Sequence, residues 1–270
     1  MSYSKKQMVD VVERSPAFVA EHDRDGWLGV FAADAQVEDP VGAPPAPKAT
    51  GAIGRFWDVF IGPNDIHFEV RGDYTLGRSV FRDIIIHTKI AGAFQLDVPA
   101  YLLYQLDDAT GSLQISRLSA HWDLARMSLG AMKLGPKAWV AMTAMFGRML
   151  RFMGVPWVAG YLASLWKGIG GRGLATVRQL VTVVDARDSQ GLEALLEPSA
   201  IVELGIVEAP ARDLFSLFPA GTRLRVEAPV AAGWTTSFRY TLEGASPKSG
   251  LARLEFAPDT RRIRSLRFFA

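Results

Sequence analysis

Apolar positions return at helical spacing near the start of the chain, where Val9, Val12, Phe18 and Val19 precede the polar break Asp23-Arg24-Asp25-Gly26. A second short helix is predicted over Trp27, Leu28, Val30 and Phe31, followed by a short strand over Asp34–Asp39 that stops at Pro40. The proline-rich stretch from Gly42 to Pro47 predicts a loop. Ile53, Phe56, Trp57 and Phe60 fall at i, i+3, i+4 and i+7, which predicts a third helix over Gly51–Ile61. The period then changes from helical to alternating. Ile66–Val70 alternates, Ser79–Ile90 is a long β-branched run, and Phe94–Leu106 is another, interrupted by Pro99. Asp107–Gly111 predicts a hairpin turn, with Leu113–Trp122 as the returning strand. Three helices followed by strands predict an α+β unit with the helices on one face of a curved antiparallel sheet.

The last third echoes this order. A helix is predicted over Ala175–Ala186. Asp185–Leu192 matches Glu21–Leu28, Pro198–Leu204 matches Ala33–Asp39, and Ile263–Phe269 matches Ile115–His121. Three echoes in the same order predict a second copy of the unit. The expected division is 1–123 for the first domain, 124–173 for an apolar helical hairpin and linker, and 174–270 for the second domain. Leu204 stands where the first copy has Asp39, so the second copy has no base there.

Charge sharpens the middle segment. Residues 1–123 carry eleven basic and seventeen acidic groups, whereas 124–173 carry seven basic and none acidic. The middle segment also holds six of the eight methionines and three of the seven tryptophans. Trp139, Met142, Phe146, Met149 and Met153 form a helical stripe, and Trp157, Tyr161, Leu162, Leu165 and Trp166 follow Pro156. Its uncharged runs fall short of the roughly 20 residues a spanning helix needs. Three roles stay open for 136–167: packing between the domains, a lid over the first domain's pocket, or peripheral contact with an anionic membrane surface. The basic groups are too dispersed for phosphate tracking, so no nucleic-acid partner is expected. Cysteine is absent, which excludes disulfides and thiol chemistry. No apolar secretory segment follows Met1, so the cytoplasm is the expected location, with association to a membrane as the alternative.

Phe31–Gly42 closely resembles the segment of bacterial ketosteroid isomerases that holds their catalytic aspartate. Gly51–Trp57 is similar to the helix that follows it, and Ala120-His121-Trp122 to their last strand. The resemblance covers roughly residues 8–123 and implies a cone-shaped NTF2-like, SnoaL-like domain, here in two tandem copies joined by the hairpin. It also implies an intrachain pseudo-dimer or a homodimer, and a hydrophobic small-molecule ligand. Members of this superfamily include isomerases, cyclases, epoxide hydrolases and non-catalytic binders, so the fold does not fix the activity.

In the isomerase chemistry a carboxylate removes a proton beside a ketone and returns it two carbons away, while hydrogen-bond donors stabilise the enolate. By resemblance, Asp39 is the base. The family's donors do not carry over: their positions fall on Ser15, Phe31, Trp57 and Ala100 or Leu102. Replacement donors are sought among Tyr101, Tyr104, His121, Trp57 and Trp122, and alternation along a strand lets only one of Tyr101 and Tyr104 face inward. The expected binding set is Ser15, Phe31, Trp57, Tyr101, His121 and Trp122. The expected activity is cofactor-independent proton transfer on a steroid-like or polyketide-like carbonyl compound. A binder of the same fold is the alternative, and an epoxide hydrolase built on Arg82, Asp83 and Asp97 is a third reading. His22, His67, His87 and His121 lack metal-ligand spacing, so no metal and no cofactor are expected. The glycine-rich run Gly168–Gly173 is read as a linker.

Overall fold

The structure is a computed structural model that describes residues 3–90, 94–109, 111–133, 135–244 and 247–270. Packing divides the chain into two compact units. One comprises Met1–Asp73 with Arg78–Trp166, and the other Tyr74–Gly77 with Lys167–Ala270.

The first unit opens with α1 (Lys5–Ala20), begun by a capping box in which Ser4 and Gln7 satisfy each other's backbone. Helix α2 (Arg24–Gly29) is capped by Asp23, whose carboxylate accepts from the Gly26 N–H at 2.8 Å. Strands β1 (Phe31–Glu38) and β2 (Ala46–Pro47) follow. Phe31 thus opens a strand rather than closing the preceding helix. Helix α3 (Ala52–Phe56) continues into a π-type turn over Trp57–Ile61. Strands β3 (Asn64–Leu76), β4 (Ser79–Ile90), β5 (Phe94–Asp107) and β6 (Gln114–His121) complete a sheet of order β2-β1-β6-β5-β4-β3. The sheet is mixed rather than wholly antiparallel: β1 runs parallel to β6. Three reversals between β3 and β6 leave β6 running with β1. Pro99 does not interrupt β5. It pairs with Ile85 on one side only, because β6 ends at His121 opposite Tyr101, so no ladder bond is lost on the other side. Of the predicted Asp107–Gly111 turn, Thr110 lies outside the described residues.

Helices α4 (Leu124–Met132), α5 (Pro136–Met153) and α6 (Val155–Ala163) belong to this first unit. Met149, Val158 and Tyr161 enter its core, with Met145, Phe152, Met153, Trp157 and Leu165 packed against it. The methionine-tryptophan stripe runs along the border of the buried face: Met149 is enclosed while Trp139 and Phe146 are exposed. Gly160 faces Pro44 so closely that an added Cβ would stand 2.4 Å from the proline ring. Among the described residues no helix is long and apolar enough to cross a membrane.

The second unit repeats the order with α7 (Gly170–Ala186), α8 (Ser189–Leu195), β7 (Leu196–Leu204), β8 (Val207–Pro210), α9 (Leu214–Leu217), β9 (Arg223–Ala232), β10 (Thr235–Glu243), β11 (Lys248–Phe256) and β12 (Ile263–Phe269). Its sheet order, β8-β7-β12-β11-β10-β9, is that of the first, again with one parallel pair, β7 with β12. The equivalence extends to single residues. His22 and Arg187 both take positive φ, and Asp23 and Asp188 both cap the next helix. This registers the two copies one residue away from the alignment of Asp185–Leu192 with Glu21–Leu28. Glycines 170–173 open α7 instead of forming a linker. Gly173 is needed there, because a Cβ would meet Thr236 Oγ1 at 2.4 Å. The chain is a tandem pair of α+β units that share one sheet order.

Candidate active site

Asp39 follows β1 directly, and its peptide bond to Pro40 is cis. The Trp122 indole N–H, just past the end of β6, donates to Asp39 Oδ1 at 2.6 Å. The parallel pairing of Glu38 with Ser119 sets this distance, since it brings the ends of β1 and β6 together. Burial pushes the Asp39 carboxyl up from 3.8 to about 6, and the Trp122 bond offsets part of that rise by favouring the charged form. The residue as a whole keeps partial exposure, while its carboxyl is desolvated.

Helix α6 brings Tyr161 within reach of its charge. Tyr161 is buried, its phenol is driven upward by desolvation, and the negative charge of Asp39 adds to that shift. Its ring stacks at 5.4 Å on Trp157 and at 6.0 Å on Phe60 of the π-type turn. Three enclosed donors of the hairpin have no hydrogen-bond acceptor among the described residues: Trp157 Nε1 and Arg148 Nε and Nη2. An enclosed donor without an acceptor costs about 1–3 kcal/mol.

The other expected residues separate into three places. Phe31 and Trp57 join Trp27 in the core, with ring centroids 4.7 and 5.4 Å from the Trp27 ring. Ser15 is buried beside them and accepts from Trp27 Nε1 at 3.1 Å. Tyr104 is the inward-facing tyrosine of β5. Burial pushes its hydroxyl up to about 12, the Arg82 charge opposes that rise, and it is hydrogen-bonded to Ser15. Tyr101 and His121 pair across β5 and β6 on the other face of the sheet, against Phe81 at 6.0 and 5.5 Å, so neither shares a face with Tyr104. The expected grouping of Tyr101 and His121 with Asp39 is therefore not the observed placement, and alternation along β5 and β6 is the reason.

Arg82 lies on the inner face, where Asp73 accepts from it at 2.6 and 3.1 Å and Glu13 of α1 also accepts. Burial alone would weaken its protonation; the two carboxylates outweigh it and hold the guanidinium charged. Asp83 falls on the other face and Asp97 is exposed beside His87 at 2.8 Å, so Arg82, Asp83 and Asp97 do not converge. Sequence spacing missed the meeting of three histidines. His22, His67 and His87 line a cavity of about 370 Å³ with Asp65, Lys89 and Gln95, and Asp39 is not part of it. Among the described residues no histidine–carboxylate group could hold a metal ion.

The candidate site is thus a desolvated, hydrogen-bonded aspartate where β1 and β6 end. No protein-family model and no curated protein matches the sequence. Solved structures are similar to it over about half its length. A Δ5-3-ketosteroid isomerase from Mycobacterium sp. is 26% identical, covers 44% of this chain and 94% of its own, and has a TM-score of 0.40. A Mycobacterium tuberculosis protein in complex with estradiol-17β-hemisuccinate is 24% identical over 45% and 96%, at 0.40. An epoxide hydrolase from the same organism is 16% identical over 52% and 96%, at 0.40.

Proposed function

We propose that the first unit catalyses cofactor-independent proton transfer beside the carbonyl of a hydrophobic, steroid-like or polyketide-like small molecule, with Asp39 as the base. The observation that carries this reading is the state of the Asp39 carboxyl: desolvated, poised near 6 and oriented by a single N–H. A base of that affinity is ionised at neutral pH yet close enough to the operating pH to return its proton. The second unit has Leu204 at the equivalent position and takes no part in the step.

The enolate formed in this step needs a donor. Trp122 is committed to Asp39, and Tyr101 and His121 face away. Tyr161, with the unpartnered Trp157 N–H, fills the role in this reading, so the roof over Asp39 would also be its electrophilic partner. Removal of one such donor typically lowers the rate about 10²–10³-fold.

A second reading, a carrier that holds an apolar ligand without turnover, is favoured by one observation: the family's donor positions carry Ser15, Phe31 and Trp57, which are spent on core packing. The test is isomerisation of a β,γ-unsaturated ketosteroid by the wild type, Asp39→Asn and Tyr161→Phe, with ligand binding followed by tryptophan fluorescence. Turnover lost in Asp39→Asn and reduced in Tyr161→Phe supports the enzyme. Binding with no turnover in all three supports the carrier. Neither binding nor turnover with any ketosteroid removes both readings for that substrate class.

A further inference from the structure

The inward side of the hairpin is accounted for by the core of the first unit; its outward side is not. Nine of the twelve exposed large apolar side chains among the described residues lie between Leu129 and Trp166. On α5, Trp139 (57% exposed), Val140 (71%), Phe146 (39%) and Leu150 (38%) fall within about 120° of arc at 3.6 residues per turn, opposite Ala141, Met145 and Met149 on the inward side. The helix is therefore apolar on both sides. Leu129 and Met132 of α4 and Val155 of α6 extend the exposed apolar surface. Solvent contact at this density marks an interaction surface rather than scattered surface residues.

Charge selects the partner. Between Asp123 and Asp185 there is no acidic residue, and Arg126, Lys133 and Arg151 are exposed within the same segment. Two copies of so uniformly positive a face repel each other, which argues against self-association. Large apolar groups interleaved with isolated cations do not track a phosphate backbone. They do suit a surface with negative headgroups above hydrocarbon. No described helix is long and apolar enough to cross, so the fit is to lie on that surface. We propose that the outward face of α5, flanked by α4 and the start of α6, docks on an anionic lipid bilayer. The proposal stands whether or not Asp39 is a base.

The test uses the full chain in sedimentation with phosphatidylcholine vesicles, with and without phosphatidylglycerol. Binding is expected only with phosphatidylglycerol, falling as salt rises. The double substitution Trp139→Glu/Phe146→Glu should lower the affinity at least about tenfold by removing buried apolar area. Trp139 Nε1 also donates to the Met132 carbonyl at 2.9 Å, so melting is read alongside and Val140→Glu, at a side chain 71% exposed, should likewise lower the affinity with an unchanged melting transition. The triple substitution Arg126→Gln/Lys133→Gln/Arg151→Gln should lower affinity and flatten the salt dependence while leaving the apolar face intact. Absence of binding to anionic vesicles, equal binding to neutral ones, or binding untouched by both variants overturns the proposal. So does self-association in lipid-free buffer that Trp139→Glu/Phe146→Glu abolishes, because the face would then serve a second copy of the chain.

Discussion

Asp39→Asn separates the charge of the site from its shape. Asparagine keeps a carbonyl oxygen for the Trp122 N–H and nearly the same volume, but cannot ionise. The folded-state pKa is raised from 3.8 to about 6, so the folded protein holds the proton more tightly than the unfolded chain. Stability is therefore highest below the unfolded value, where both states are protonated, and falls as pH rises through the interval between 3.8 and about 6. Each tenfold gain in proton affinity corresponds to about 1.4 kcal/mol, so the ionised carboxylate costs the folded state about 3 kcal/mol at neutral pH. The value of about 6 already contains the opposing effect of the Trp122 bond, so nothing further is subtracted. Asp39→Asn should therefore be more stable than the wild type by about 3 kcal/mol at about pH 7.5, with a melting transition about 6–12 °C higher. The gap should close by about pH 4. Calorimetry at the two pH values reads both numbers. A gap that does not change with pH, or a variant less stable at neutral pH, would show that water reaches the carboxyl and would refute the argument from burial.

Three further outcomes follow from the geometry. Trp122→Phe removes the donor that favours the charged form, so the Asp39 pKa should move above its present value of about 6; a pH titration of stability against the wild type measures it. Gly160→Ala would stabilise an isolated helix by about 1 kcal/mol, but its Cβ would strike Pro44; α6 should lift, the carboxyl rehydrate and the Asp39 pKa fall toward 3.8, read by the same titration. Arg82→Met strips the buried partner from Asp73 and Glu13 and should cost about 3–5 kcal/mol in urea unfolding.

The strands were legible where β-branched residues are dense, and β4 spans Ser79–Ile90 as its run predicts. The second copy was legible in Pro198–Leu204 and Ile263–Phe269, whose pairing of Val202 with Leu266 repeats that of Val37 with Leu118. Its helical echo slipped by one residue because the shared feature there is conformation, the positive φ of His22 and Arg187, which unlike side chains can both adopt. The glycines at the start of α7 read as a linker because local propensity does not register the close approach of Gly173 to Thr236. Asp39 was legible from its local segment and Trp122 from its strand. Tyr161 was not tied to Asp39, since an electrostatic coupling across many intervening elements leaves no periodic trace. The facing of Tyr101 and Tyr104 was reducible to a choice of one, and only the register of β5 against β6 decided it for Tyr104.

Tyr161 stacks on Trp157 and Phe60, and Gly160 seats α6 tightly against Pro44. On the proposed function, admission of a guest past α6 requires this packed helix to unseat, and the rate of that event caps how fast guests are captured whatever their affinity. The same barrier slows escape. A site built this way favours long residence over rapid exchange, and its uptake rate should level off as ligand concentration rises instead of climbing in proportion.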